Sequence, residues 1–266
     1  MNKQSTHTTV VSHLNTYLQN RPLFLSLIRA KEAELFTRFM PYKEPILDVG
    51  CGDGFFGSLI FPKTTVGLDV KNSRVNEAIS RGWYSKIVSY DGSTMPFLNN
   101  TFPIIVSNCV LEHIDDVDRV IKEMYRVLAP GGSCIVTVMA KPWEEHLFGS
   151  IFLGNSYKQY MKRKQVHIHL LASSEWKQTF VRAGFQIKEC IGYLSPYACR
   201  FIDISHYLSI PNLCSYILFH TWVLFPWMSC ILPTQHLAHL IEKDVPVTSA
   251  GALFFVLTKN KKSRVQ

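Results

Sequence analysis

The residue types best suited to chemistry lie in Ile46–Gly57, ILDVGCGDGFFG. An apolar run reaches Asp48 and passes into Gly50-Cys51-Gly52-Asp53-Gly54. Glycines at this spacing let the backbone turn sharply and approach a ligand that a Cβ would block. Gly52–Gly57 also matches the GxGxxG dinucleotide fingerprint, a short pattern that a plain glycine-rich turn can satisfy as well. The apolar runs that follow each carry a polar residue at or near the carboxyl end: Asp69 in TTVGLDV, Asp91 after KIVSY and Asn108 in FPIIVSN. In an open α/β sheet, ligands bind in the crevice beyond the strand carboxyl ends. Four polar groups at successive strand ends suit a ligand that carries a nucleoside.

The elements that must hold these residues alternate. Strand-like runs at 45–50, 64–70, 86–90, 102–108 and 133–138 are separated by helical patterns, which predicts parallel βαβ units in a Rossmann-like, doubly wound sheet. The clearest helix is predicted from Asp116 to Ala129. Val117, Val120, Ile121, Met124, Val127 and Leu128 share one face, Asp115 and Asp116 stand at the N-cap, and Pro130-Gly131-Gly132 stops it. A helix over 173–183 leads into a strand at 185–194, and GALFFVLTK (251–259) is the last strand, predicted antiparallel in a mostly parallel sheet with helices on both faces. Residues 1–20 are polar and predicted to be loosely ordered; Arg21-Pro22 opens a helix that Pro41 stops near Met40.

The segment Glu44–Val138 resembles the class I S-adenosylmethionine-dependent methyltransferases, in particular the small-molecule, type 11-like branch, with a weaker likeness continuing to Leu194. ILDVGCGDG, VGLDV, DGSTMPF, SNCVLEHIDD and RVLAPGGSCIV carry the resemblance. It implies S-adenosylmethionine as cofactor and a role for each matched residue. Asp48 would order the glycine loop near the cofactor's amino group, and Gly50, Cys51, Gly52 and Gly54 would shape the turn along its methionine part. Asp69 would accept from the ribose hydroxyls, Val70 would pack on the adenine, and Asp91 and Gly92 would meet the adenine edge. Asn108, Cys109 and Val110 would form the floor near the sulfonium. One departure is Phe102-Pro103, where the family commonly has an acidic residue; proline is tolerated at the start of a strand. The domain limits expected are a helical segment over 1–43 and a methyltransferase domain over 44–266, with an apolar helical insertion at about 195–249.

Three histidines are catalytic candidates. His113, in LEHIDD, could act as a general base, since imidazole titrates near neutrality, or could order its loop. His167 and His169, in VHIHLLASSEW, precede the 173–183 helix, where the family often places substrate-facing residues. Their i, i+2 spacing could suit a metal, but no carboxylate or cysteine ligand set accompanies them, so no metal is expected. Methyl transfer needs little from side chains: the sulfonium is already activated, and the protein aligns the reactants and excludes water.

Composition bounds the rest. Apolar residues make up 47% and charged residues 18% of the 266, which excludes a disordered or fibrous chain, and the net charge is +8. The seven cysteines form no CxxC pair, and the polar first twenty residues lack an apolar export core, so reduced thiols and a cytoplasmic location are expected. From Ile204 to Ile241 there is no Asp, Glu, Lys or Arg. Leu213–Leu232 is long enough to span a bilayer, but Pro211, Pro226 and Pro233 divide the region, and the strands on either side should share one sheet. A helical hairpin in one leaflet satisfies both constraints; buried core helices are the alternative. Basic clusters at Lys158, Lys162, Arg163 and Lys164 and at Lys259, Lys261, Lys262 and Arg264 suit contact with the anionic, cytoplasmic face of a membrane. No nucleic acid is expected, since aromatics and basic residues are not interleaved. The sequence thus predicts a methyltransferase for a small, lipophilic acceptor at the membrane surface. Two alternatives stay open: a soluble acceptor, with the insertion as lid or dimer surface, and a non-catalytic cofactor-binding protein.

Overall fold

The computed structural model describes residues 3–71 and 74–261. Seven strands, β1 (Ile46–Val49), β2 (Val66–Val70), β3 (Lys86–Tyr90), β4 (Phe102–Asn108), β5 (Leu128–Met139), β6 (Gln186–Tyr193) and β7 (Ala252–Thr258), form one sheet in the order β3-β2-β1-β4-β5-β7-β6. β1 pairs in parallel with β2 and with β4, β2 with β3, and β4 with β5. The C-terminal strands are antiparallel, so the Rossmann-like, mostly parallel sheet is present. The order reverses at β1, flanked by β2 on one side and β4 on the other, and this switch opens a crevice beyond the carboxyl ends of β1 and β4. All four residues of β1 are buried, as in a strand covered on both faces.

The chain divides into two compact units. One comprises Met1–Arg38, Ala140–Val166 and Ile191–Ala252; the other comprises Phe39–Met139, His167–Cys190 and Leu253–Gln266 and holds nearly all of the sheet. The first contains α1 (Lys3–Leu18), α2 (Leu23–Thr37), and further helices given below; the second contains α3 (Phe55–Ile60), α4 (Val75–Arg81) and α5 (Val117–Val127).

In the sheet-bearing unit, α5 buries Val117, Val120, Ile121, Met124 and Val127, and the Asp116 carboxylate caps it by accepting from Arg119 N at 3.2 Å. The helix stops at Val127, two residues before the predicted Ala129, because Leu128 already pairs with Phe102. Ile104 next pairs with Ser133, so Ala129–Gly132 bow out of the ladder. Pro103 sits in that irregularity, where no donor is required of it.

The other unit corrects the N-terminal expectation. The residues predicted to be loosely ordered form α1, and Val10, Leu14, Tyr17 and Leu18 are buried on one stripe against α2. Ser5–Thr9 masks this stripe in the sequence, because its hydroxyls are satisfied locally: Thr8 and Thr9 donate to the carbonyls of Gln4 and Ser5. α2 ends at Thr37, short of the predicted Met40. The remaining helices of this unit are α6 (Pro142–His146) and α7 (Phe148–Lys164, broken at Gly154), then α9 (Pro196–Leu208), α10 (Ile210–Phe219) and α11 (Thr234–Ile241); α8 (Ser173–Arg182) belongs to the sheet-bearing unit. The prolines partition the uncharged stretch: Pro211 lies in the first turn of α10, Pro226 opens a 3-10 turn to Ile231, and Pro233 immediately precedes α11. Among the described residues, no helix is long and apolar enough to cross a membrane. Of the predicted C-terminal basic cluster, Lys262 and Arg264 lie outside the described residues.

A buried charge network ties α2 to the segment after α11. Lys31 is fully buried and donates to Glu34 at 3.1 Å, to Asp244 at 2.8 Å and to the Glu242 carbonyl at 2.7 Å, while Arg38 grips Glu34 and Asp244. Removing one member strands the other charges in a low-dielectric site. Lys31→Ala is therefore expected to destabilise the fold by roughly 3–5 kcal/mol, read by urea denaturation. A change under ~1 kcal/mol would mean that the network is solvated in solution.

Candidate functional site

The site is built from the turn after β1. Gly50 (φ +79°), Gly52 (φ +54°) and Gly54 (φ +74°) all adopt left-handed backbone, which β-carbon sterics make costly for other residues. Gly50 has a second reason to be glycine: a Cβ there would lie 2.3 Å from a methyl of Val110. Gly52 N donates to Asp69 Oδ2 at 2.6 Å, and Val70 N donates to Asp69 Oδ1 at 2.7 Å. The carboxylate at the end of β2 is thereby fixed in orientation, with lone pairs left for further donors.

A cleft of about 540 Å³ opens at these strand ends. Of the sequence-predicted cofactor residues, Gly50, Asp69, Val70, Asp91 and Gly92 line it, as do Cys109 and Val110. The catalytic candidate His113 lines it too. Val49, Tyr90, Ile114, Asp115 and Asp116 complete the lining. Sequence reading assigns Asp115 and Asp116 to the start of α5, and Asp116 does cap it; their position on the cleft wall depends on the turn through His113, which no local pattern specifies. Four acidic residues thus line one cleft in a chain whose net charge is +8. Asp91 accepts from the Ser93 hydroxyl and backbone, which hold its carboxyl below the usual carboxylate range.

Asp48, Cys51, Gly52, Gly54 and Asn108 are not among the residues that line the cleft. The Asn108 side chain accepts from Thr137 Oγ1 at 2.6 Å, and Thr137 in turn accepts from Cys109 N at 2.9 Å. That relay holds Cys109 in a left-handed conformation (φ +51°), which is rare for a residue with a side chain. The Cys51 thiol is buried, which pushes its pKa up, so it is a packing group and a poor nucleophile. Asp48 is 4% exposed and accepts from the Tyr84 hydroxyl at 2.6 Å. Burial pushes its carboxyl up to about 7, and the charge of Asp69 adds to the rise against the opposing Tyr84 bond.

The three histidines are brought together unequally. His167 is buried and its ring stacks on that of His113, with centroids 5.1 Å apart. His169 points elsewhere and donates through Nε2 to the Asp115 carbonyl at 3.1 Å.

Residues 47–136 match the family model described as a methyltransferase domain. Among curated proteins, a malonyl-[acyl-carrier protein] O-methyltransferase from Legionella pneumophila is 30% identical over 145 residues, 51% of this chain and 51% of that protein. A mouse protein named "Probable tRNA methyltransferase 9B" is 28% identical over 142 residues, 51% of this chain and 31% of that one. The chain spans no more than about half the length of these two relatives. Among solved structures, an S-adenosylmethionine-dependent methyltransferase from Thermotoga maritima superposes with a TM-score of 0.59 over 90% of this chain and 92% of that one, at 16% identity.

The Asp48 environment makes a prediction with a definite sign. A carboxyl whose folded pKa is near 7 and whose unfolded pKa is near 3.9 stabilises the fold fully below about pH 4, and that stabilisation is lost as pH rises through 7. Asp48→Asn keeps an acceptor for Tyr84 and cannot ionise. Its melting temperature relative to wild type should rise steadily between pH 4 and pH 8; an offset constant across that range would place Asp48 in a solvated environment.

Proposed function

From a chain that belongs to the class I S-adenosylmethionine-dependent methyltransferases through residues 47–136, we propose an enzyme that methylates a small, lipophilic acceptor at the surface of an anionic membrane. The observation that carries the catalytic part is the cleft at the β1/β4 switch, where Asp69 and the glycine turn are hydrogen-bonded into one unit. The cleft fits the cofactor on its own terms. Gly50 and Gly92 present no side chain to it, Asp69 offers a fixed carboxylate to paired hydroxyls, and the acidic wall suits a cofactor that carries a sulfonium and an ammonium. When bound, S-adenosylmethionine supplies a methyl group already activated for transfer to a nucleophile.

The chain's own residues would bind and orient. Asp69 would hold the ribose, Val70 would pack on the adenine, and Asp91 and Gly92 would meet its edge. Gly50, Cys51, Gly52 and Gly54 would shape the turn along the amino-acid end, with the buried Asp48 carboxylate beneath it. Asn108, through Thr137, would set the Cys109–Val110 floor. His113 would face the acceptor from the cleft wall, and His167 backs its ring.

The acceptor class is argued from the other unit. The uncharged stretch leaves large apolar side chains in water: Leu208, Ile217, Leu218, Phe219, Trp227 and Ile231 are each 60–70% exposed. Phe152 and Leu153 of α7 are exposed to the same degree, and Lys162, Arg163 and Lys164 fill the last turn of that helix. An apolar surface of this extent marks an interaction site, and helices too short to span suit partial insertion into one leaflet. A membrane-resident acceptor is lipophilic by necessity.

Two measurements test this reading. Calorimetry with S-adenosylmethionine should show binding by wild type that Asp69→Ala weakens by roughly 1.5–3 kcal/mol, the loss of charge-assisted hydrogen bonds; unchanged affinity would remove Asp69 from the site. In flotation assays, the protein should rise with anionic liposomes, less at high salt, and a variant with Phe219, Phe225 and Trp227 changed to Ser should stay behind. Wild type that ignores liposomes and dimerises would assign the surface to a second copy and the acceptor to the soluble pool.

A further inference from the structure

We propose that Glu112, His113 and His167 form a divalent-cation site at the lip of the cleft. One ligand atom from each residue lies within 4.8 Å of those of the other two. A zinc-sized cation sits about 2.0–2.2 Å from nitrogen and oxygen donors, which puts neighbouring donors roughly 3–3.5 Å apart in a tetrahedral shell. Binding would require the exposed His113 ring to turn from its stack on His167 toward the ion. The local sequence around His167 hides the third donor. Glu112 comes from a segment more than fifty residues away, so no ligand set shows around His167 in the sequence.

Hydrogen bonds hold together the segments that carry the three donors. The 3-10 turn Leu111–His113 sends Glu112 inward and His113 outward. The Glu112 carbonyl accepts from Ile168 N at 2.8 Å and from His169 N at 3.0 Å, which brings the His167 segment alongside. His169 Nε2 adds the bond to the Asp115 carbonyl, and Glu112 Oε1 accepts from Met139 N at 3.1 Å. Val166, immediately before His167, has a left-handed backbone (φ +56°), uncommon for a β-branched residue. Hydrogen bonds that orient ligating side chains in advance of the ion are a regular property of metal sites.

The donor set selects the ion. Two imidazoles and one carboxylate suit zinc, cobalt, manganese or ferrous iron over calcium or magnesium, which prefer all-oxygen shells. Three protein ligands leave at least one position open, and His113 places it on the cleft side. An oxygen ligand, from water or from an acceptor hydroxyl, would fill it. The acceptor part of this statement rests on the methyl-transfer reading; the cation site does not.

A second cluster, His7, His239 and Glu242, has its donor atoms as near to one another and is closed by hydrogen bonds. His7 Nδ1 and His239 Nδ1 contact the two oxygens of Glu242 at 2.5 and 2.9 Å, and His7 Nε2 contacts Gln235 at 2.7 Å. That arrangement is complete as an ion pair between α1 and α11, and it serves as the control.

The test is titration of the full chain, stripped of metal by chelator dialysis, with cobalt(II) and without cofactor. Wild type should bind one equivalent with the visible d–d absorption of a nitrogen-ligated ion, and zinc should displace it. His113→Ala, whose side chain is exposed and whose fold is checked by thermal melting without metal, should weaken binding at least tenfold. His167→Ala and Glu112→Gln should remove the spectrum, while His239→Ala should leave it unchanged. Failure of wild type to develop the spectrum, equal binding by His113→Ala, or loss on His239→Ala would each overturn the site. Cofactor affinity measured in parallel separates this outcome from failure of the methyltransferase reading.

Discussion

The hydrogen bond from Gly52 N to Asp69 Oδ2 joins two strand ends that are seventeen residues apart, and much of the cleft depends on it. β1 and β2 are already parallel neighbours, with Leu47 opposite Val66 and Val49 opposite Leu68, so their carboxyl ends are brought level by the ladder. The ladder alone does not orient the turn that follows. The left-handed glycines allow the backbone to fold back, and the carboxylate then receives an amide that the turn would otherwise leave exposed. The strand register supplies position, the glycines supply direction, and Asp69 locks the result. The opposite wall is built by similar logic around Thr137, which links Asn108 and Cys109 across β4 and β5.

The sheet was legible because most of its strands are short apolar runs bounded by polar or glycine residues, and five of the seven predicted ranges fall within a residue of the observed ones at both ends. The cleft wall was legible for the same reason: Asp69 and Asp91 stand at or just beyond strand ends, and strand ends converge. What escaped depends on contacts far apart in sequence. The stripe Val10, Leu14, Tyr17 and Leu18 is a helical face, but only packing against α2 gives it a partner, and its polar neighbours read as an unstructured segment. The premature end of α5 follows from Phe102 claiming Leu128, a pairing between strands that no window around Leu128 contains. The association of Glu112 with His167 is of the same kind.

The two units solve the problem of polar atoms differently. In the sheet-bearing unit, buried polar groups such as Asp48, Ser107 and Thr137 sit beside the ligand crevice, and each has a specific partner: Tyr84, the Val49 carbonyl and Asn108. In the helical unit, the buried charges of Lys31, Glu32 and Glu34 serve packing, with Tyr193 and Arg29 closing on Glu32. The same unit leaves its uncharged segment open to water. A unit that invests so heavily in ionic contacts on one set of helices, yet leaves aromatic and aliphatic side chains uncovered on another, has a surface shaped by something other than its own stability.

The contact between Gly50 and Val110 carries a historical consequence. A Cβ at position 50 would meet both methyls of Val110 as well as an unfavourable backbone angle, so position 50 cannot change while Val110 is in place. Alanine at 50 becomes sterically admissible only after Val110 has been trimmed, and the backbone penalty persists even then. Lineages descending from this chain should therefore acquire changes at 110 before any change at 50. The order of mutations is written into the geometry of a single turn.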